Sequence, residues 1–89
     1  MKITDIRVRL VNDNDKLKAV ASITIDDELV VHDIKLINGK DGYFLSMPNR
    51  KSGDGKFKDI VHPIKTDVRE SLKDQIVSAY EQALASEQE

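Results

Sequence analysis

Residues 43–64 read YFLSMPNRKSGDGKFKDIVHPI, and the fold turns on how this stretch is parsed. It opens with an apolar, strand-like run, Tyr43-Phe44-Leu45-Ser46-Met47. Pro48 stops that run, because its ring nitrogen has no proton to give a sheet ladder. Asn49-Arg50-Lys51-Ser52-Gly53-Asp54-Gly55 is a polar, glycine-bearing loop with two adjacent cations at its near end. Lys56-Phe57-Lys58-Asp59-Ile60-Val61 resumes a strand pattern, and His62-Pro63 closes the unit, since a residue before proline is biased toward extended geometry. The expectation is a β-hairpin of these two strands with a basic, mobile tip.

Upstream, the hydrophobic period is two. Ile6, Val8 and Leu10 alternate with Arg7 and Arg9, as in a half-buried strand. Asn12-Asp13-Asn14-Asp15 is a turn cluster, because Asn and Asp tolerate left-handed geometry and bond their own backbone. In the next strand Leu17, Ala19, Ala21, Ile23 and Ile25 share a face, and the small alanines leave room for a helix to lie across them. Asp26-Asp27-Glu28 turns the chain into Leu29–Ile37, where Val30, His32, Ile34 and Leu36 fall on one face by strict alternation. Apolar residues on both faces at its start suggest a central or covered strand. Asn38-Gly39 and Asp41-Gly42 are turn signals leading into the hairpin.

Downstream, the period becomes four. Val68, Leu72, Ile76, Tyr80 and Leu84 form a stripe widened by Val77, Ala79 and Ala83, the mark of an amphipathic helix. Thr66 or Asp67 serves as N-cap, and Asp67 with Glu70 has capping-box-like spacing. A helix of about twenty residues must bury its stripe on one face of the sheet. The predicted class is α+β: an antiparallel sheet of about five strands with one C-terminal helix packed on one face. Residues 1–86 are expected to form one domain, with 87–89 a frayed tail that has no apolar anchor.

Composition narrows the function. Without cysteine there is no disulfide, no thiolate metal site and no cysteine nucleophile, which suits a cytoplasmic protein. No apolar run approaches the ~20 residues of a membrane span, and the start is not a signal peptide, so no membrane partner is expected. The net charge of −2 is unevenly spread. Residues 1–39 carry six Lys/Arg against seven Asp/Glu, residues 40–58 five against two, and residues 59–89 three against seven. A basic segment between acidic ones can meet phosphate while the rest repels it, although chance lysines on a solvated turn give the same pattern.

Catalysis finds little support. His32 and His62 sit beside Asp33 and Asp59, but adjacent strand residues face opposite ways, so neither pair makes a dyad. A zinc site would need both histidines and distant carboxylates. His62 is better read as anchoring the turn before the helix through a hydrogen bond. The glycines match no phosphate-loop motif. No catalytic residue, metal or cofactor is expected. Phe44 and Phe57 are assigned to the core of a small domain, with base stacking beside their flanking cations as the other reading.

The runs Phe44-Leu45-Ser46-Met47-Pro48-Asn49-Arg50-Lys51 and Asp54-Gly55-Lys56-Phe57-Lys58-Asp59-Ile60-Val61-His62-Pro63-Ile64 resemble the signature of the stage V sporulation protein G (SpoVG) family. Ile3-Thr4-Asp5-Ile6-Arg7-Val8-Arg9, Ala21-Ser22-Ile23-Thr24-Ile25-Asp26 and Val31-His32-Asp33-Ile34 are similar to it too, so the likeness runs from about residue 2 to Tyr80. The resemblance implies a small cytoplasmic bacterial regulator linked to septation and sporulation, a homodimer that binds DNA and RNA, with a sheet and a C-terminal helix. It places the nucleic-acid role on Arg50, Lys51 and Lys58, and less directly on Lys56, whose position is often acidic in relatives. Arg7 and Arg9 are expected either to extend that patch or to line a solvated strand face. Two departures stand out: Ser52-Gly53 replaces a common Thr-Pro, implying a looser tip, and the acidic tail is short. The other function class is a non-enzymatic adaptor in septum control, with a septation protein as partner and nucleic-acid binding incidental.

Overall fold

The computed structural model describes residues 1–11 and 16–88. Strands β1 (Ile3–Leu10), β2 (Leu17–Ile25), β3 (Leu29–Gly39) and β4 (Gly42–Ser46) form an antiparallel meander in the order β1-β2-β3-β4. Two short strands, β5 (Asn49–Lys51) and β6 (Phe57–Asp59), pair only with each other, and helix α1 (Thr66–Gln88) ends the chain. The fold is α+β, with the single helix on one face of the sheet, as the change of period implies. The turn expected at residues 12–15 and the last tail residue, Glu89, lie outside the described residues.

The core follows the two periodicities. Ala19, Ala21, Ile23, Ile34 and Leu36 of the sheet meet Leu72, Ile76 and Tyr80 of the helix, with Met47 closing one end. The α1 backbone comes closest to β1, and Ala19 and Ala21 of β2 lie under the side chains of Tyr80 and Ile76. Alanine at position 21 leaves room above β2 for the Ile76 side chain, which is completely buried.

Strict alternation fails in β3. Ile23 pairs with Val31 but Ala21 pairs with Ile34, so three residues of β3 span what two span on β2. This is a β-bulge, and Asp33 there has φ 64°, in the left-handed region. The extra residue turns Val31 toward the core with Ile34 and Leu36 and leaves Val30 and His32 exposed. The single shared face of Val30, His32, Ile34 and Leu36 is therefore corrected.

The turns are local chemistry. Asp26 and Asp27 both have positive φ, 53° and 56°, and the Glu28 amide donates to the Ile25 carbonyl at 2.9 Å. Aspartate tolerates that geometry, and the primed twist suits a hairpin. Between β3 and β4 the loop is Lys40-Asp41, with Asn38 and Gly39 drawn into the ladder rather than the turn. A Cβ at position 39 would lie 2.9 Å from the Phe44 ring, so glycine there lets the ring cover the strand.

The helix cap also differs from expectation. The Lys65 carbonyl accepts from the Arg69 amide at 3.0 Å, which makes Lys65 the N-cap and places Thr66 and Asp67 in the first turn. The Asp67 carboxylate accepts from the Val68 amide at 3.0 Å and sits at the positive end of the helix dipole.

Candidate nucleic-acid interface

After Met47, buried against the helix, Pro48 takes the chain out of the sheet. The expected hairpin of Tyr43–Met47 with Lys56–Val61 is not formed. β4 pairs with β3, and the segment read as a loop, Asn49-Arg50-Lys51, becomes a strand against β6. The Ile60 amide donates to the Pro48 carbonyl at 2.7 Å, extending this ribbon to its root. Proline explains the change: it cannot continue the ladder of β4 as a donor, but its carbonyl still accepts. The Asn49 side-chain amide donates to the Met47 carbonyl at 2.7 Å and braces the exit.

The tip is tightly bonded. The Gly55 amide donates to the Ser52 carbonyl at 3.0 Å, and the Ser52 amide to the Lys56 carbonyl at 2.7 Å, with Gly55 at φ 84°. This is a type I turn followed by a left-handed glycine, a common three-residue hairpin loop. The Ser52 hydroxyl donates to the Asp54 carboxylate, which also accepts from the Lys56 amide at 3.1 Å. The Ser52 hydroxyl and then the Lys56 amide hold the Asp54 carboxyl below its ordinary value.

Register sorts the cations. Arg50 stands opposite Lys58, and Lys51 opposite Phe57. Side chains alternate along a strand, so Arg50 and Lys58 share one face and Lys51 and Phe57 share the other. Lys56, two residues before Lys58, belongs to the Arg50 side. The adjacent pair Arg50-Lys51 is thereby split, which its neighbourhood in sequence does not reveal. All of β5 and β6 is exposed. Among the described residues neither Arg50 nor Lys58 forms a salt bridge, although like charges directly opposite repel.

Arg7 and Arg9 do not join this patch. They lie on β1, at the sheet edge away from β4, about 14 Å across three strand spacings. The Arg7 guanidinium pairs with Asp5 at 3.1 Å. Arg7 and Arg9 line a shallow concavity with Ser22 and His32, on the face opposite the helix.

The two phenylalanines overturn their core assignment. Phe44 is 48% exposed and Phe57 71% exposed, while Tyr43 takes the inward position, packing edge-to-face on Tyr80 at 5.9 Å. Phe44 is outward because Tyr43 and Leu45 hold the helix-facing positions of β4, and Phe57 because its ribbon leaves the sheet. Among the described residues, no three His, Cys, Asp or Glu side chains are placed to hold a metal ion, and no helix is long and apolar enough to cross a membrane. His62 Nδ1 donates to the Pro63 carbonyl at 3.1 Å, and Arg69 donates to the same oxygen at 3.3 Å. This fixes the turn into α1.

The SpoVG family model matches residues 1–82. The chain belongs to the SpoVG family. Similar proteins include one from Caldanaerobacter subterraneus subsp. tengcongensis, 55% identical over 93% of this chain and 91% of its own length. Another, from Clostridium beijerinckii, is 51% identical over 98% of this chain and 96% of its own. Both carry the name "Putative septation protein SpoVG". The family match spans the ribbon as well as the sheet and most of the helix.

Proposed function

We propose that this protein is a homodimeric regulator that binds DNA or RNA through the β5–β6 ribbon and influences septation and sporulation gene expression in the cytoplasm. The observation that carries the proposal is the Arg50–Lys58 cross-strand pair, two cations held face to face on an exposed ribbon. A phosphate backbone relieves that repulsion and releases counterions as it does so. Arg50 can fork onto a phosphate or a guanine edge, Lys58 supplies a point charge beside it, and Lys51 and Lys56 add charge on either side. One ribbon supplies only a few contacts. A two-fold dimer presents two ribbons, and linking them raises the effective affinity without any new contact.

The test is a low-salt gel shift with Arg50→Ala/Lys58→Ala. Retention is expected to be lost while circular dichroism and molar mass stay unchanged. Retention equal to wild type would remove the ribbon as the contact surface. A second reading, a septation adaptor, is favoured by a different observation: Ile60, Val61 and Ile64 are exposed apolar residues close in sequence to the ribbon root. An adaptor would lose its partner on Ile64→Asp and keep it in the ribbon variant.

A further inference from the structure

Resting on the ribbon as the nucleic-acid surface, we infer that its preferred ligand is single-stranded, with an unpaired base stacked on Phe57 and the adjoining phosphate on Lys51. These two residues are direct cross-strand partners on one face of the ribbon. Phe57 is a large apolar side chain 71% exposed, and the cation on its own face is Lys51. Every base has a π-face, so an exposed aromatic beside lysines takes unpaired bases whatever their sequence. Asn49 and Asp59 occupy the root of the same face, and the Asp59 carboxylate directs a phosphate toward the Lys51 end.

The placing of cations on both faces of the ribbon points the same way. A duplex is stiff over roughly 150 base pairs and rests against one face only, that of Arg50 and Lys58. A single strand bends around a two-stranded ribbon, stacks on one side and continues its phosphates along the other.

The experiment measures fluorescence anisotropy of a labelled 20-nucleotide single strand and of its duplex, at one low salt concentration. Phe57→Ala is expected to weaken single-strand binding about tenfold and to leave duplex binding unchanged. The chain has no tryptophan, so Phe57→Trp installs a lone reporter. It should keep single-strand affinity, and its emission should be quenched as the strand is added. Equal losses on strand and duplex, no loss at all, or unquenched emission under saturating strand would overturn the stacking. So would a shift to lower molar mass in Phe57→Ala, which would place Phe57 in a protein seam. If Phe57→Ala is silent while Arg50→Ala/Lys58→Ala binds neither ligand, stacking alone is wrong. If the double variant binds like wild type, the ribbon reading falls and takes this inference with it.

Discussion

At the residue scale, Tyr80 shows how burial sets chemistry. Its ring closes the core beside Ala19 and Leu36 and takes the edge of Tyr43. Burial, and then the neighbouring Tyr43 hydroxyl, push the Tyr80 phenol above its ordinary value of 10.0. The folded state therefore holds this proton more tightly than the unfolded chain does. Its contribution to stability is whole below pH 10.0 and is lost as pH rises from there through the raised folded value. Tyr80→Phe cannot ionise, so its melting temperature should fall less steeply than wild type above that pH, in thermal melts followed by circular dichroism. Parallel curves for the two proteins would show that Tyr80 does not drive the alkaline limb. Asp54 is the opposite case: a fully exposed carboxylate whose lowered value reports the bonded tip rather than the core.

At the scale of elements, the packing of the α1 stripe on the sheet sets stability and the ribbon contributes little. Ile76 is wholly buried, and Ile76→Ala should cost about 2–5 kcal/mol, from lost burial and the cavity left behind. Ala21 is buried in the same cluster, and Ala21→Leu should cost about 1–3 kcal/mol by overpacking the space beside Ile76. Urea unfolding of both variants checks the pair. A neutral Ala21→Leu would mean that the cluster around Ile76 is not closely packed. Both substitutions leave Arg50 and Lys58 untouched, so under the proposed function the folded variants should match wild type in the gel shift. The ribbon stands on different support: the Pro48–Ile60 bond, the Asn49 brace and the tip network, all backbone or polar interactions.

At the scale of the whole molecule, a net charge of −2 and a basic ribbon coexist because the charges are sorted in space. Four phosphate contacts, from Arg50 and Lys58 on each of two arms, would give log affinity for duplex a slope of about −3.6 against log salt. Titrations from 50 to 200 mM salt, with molar mass measured alongside, test this; a monomer would show about half that slope. A flat salt dependence would be incompatible with phosphate recognition by the arms.

Much of this was legible in the chain itself. Alternation in Ile6-Arg7-Val8-Arg9-Leu10, the alanines of β2 and the four-residue stripe from Val68 to Leu84 fixed the strands, the helix and the side each one buries. Such patterns are local, repeating with the backbone's own period. The pairing of residues 43–61 was not legible, because a strand's partner is settled by competition between segments far apart in sequence. Gly42–Ser46 paired with β3, and Asn49–Lys51 with Phe57–Asp59. One extra residue at Asp33 reversed half a strand, and a two-residue register sent Arg50 and Lys51 to opposite faces. By itself the sequence determined which residues are apolar, charged or turn-forming, and at what spacing. Only the tertiary structure decided which face each charge occupies, because a side chain's direction depends on hydrogen bonds that its own neighbours do not make.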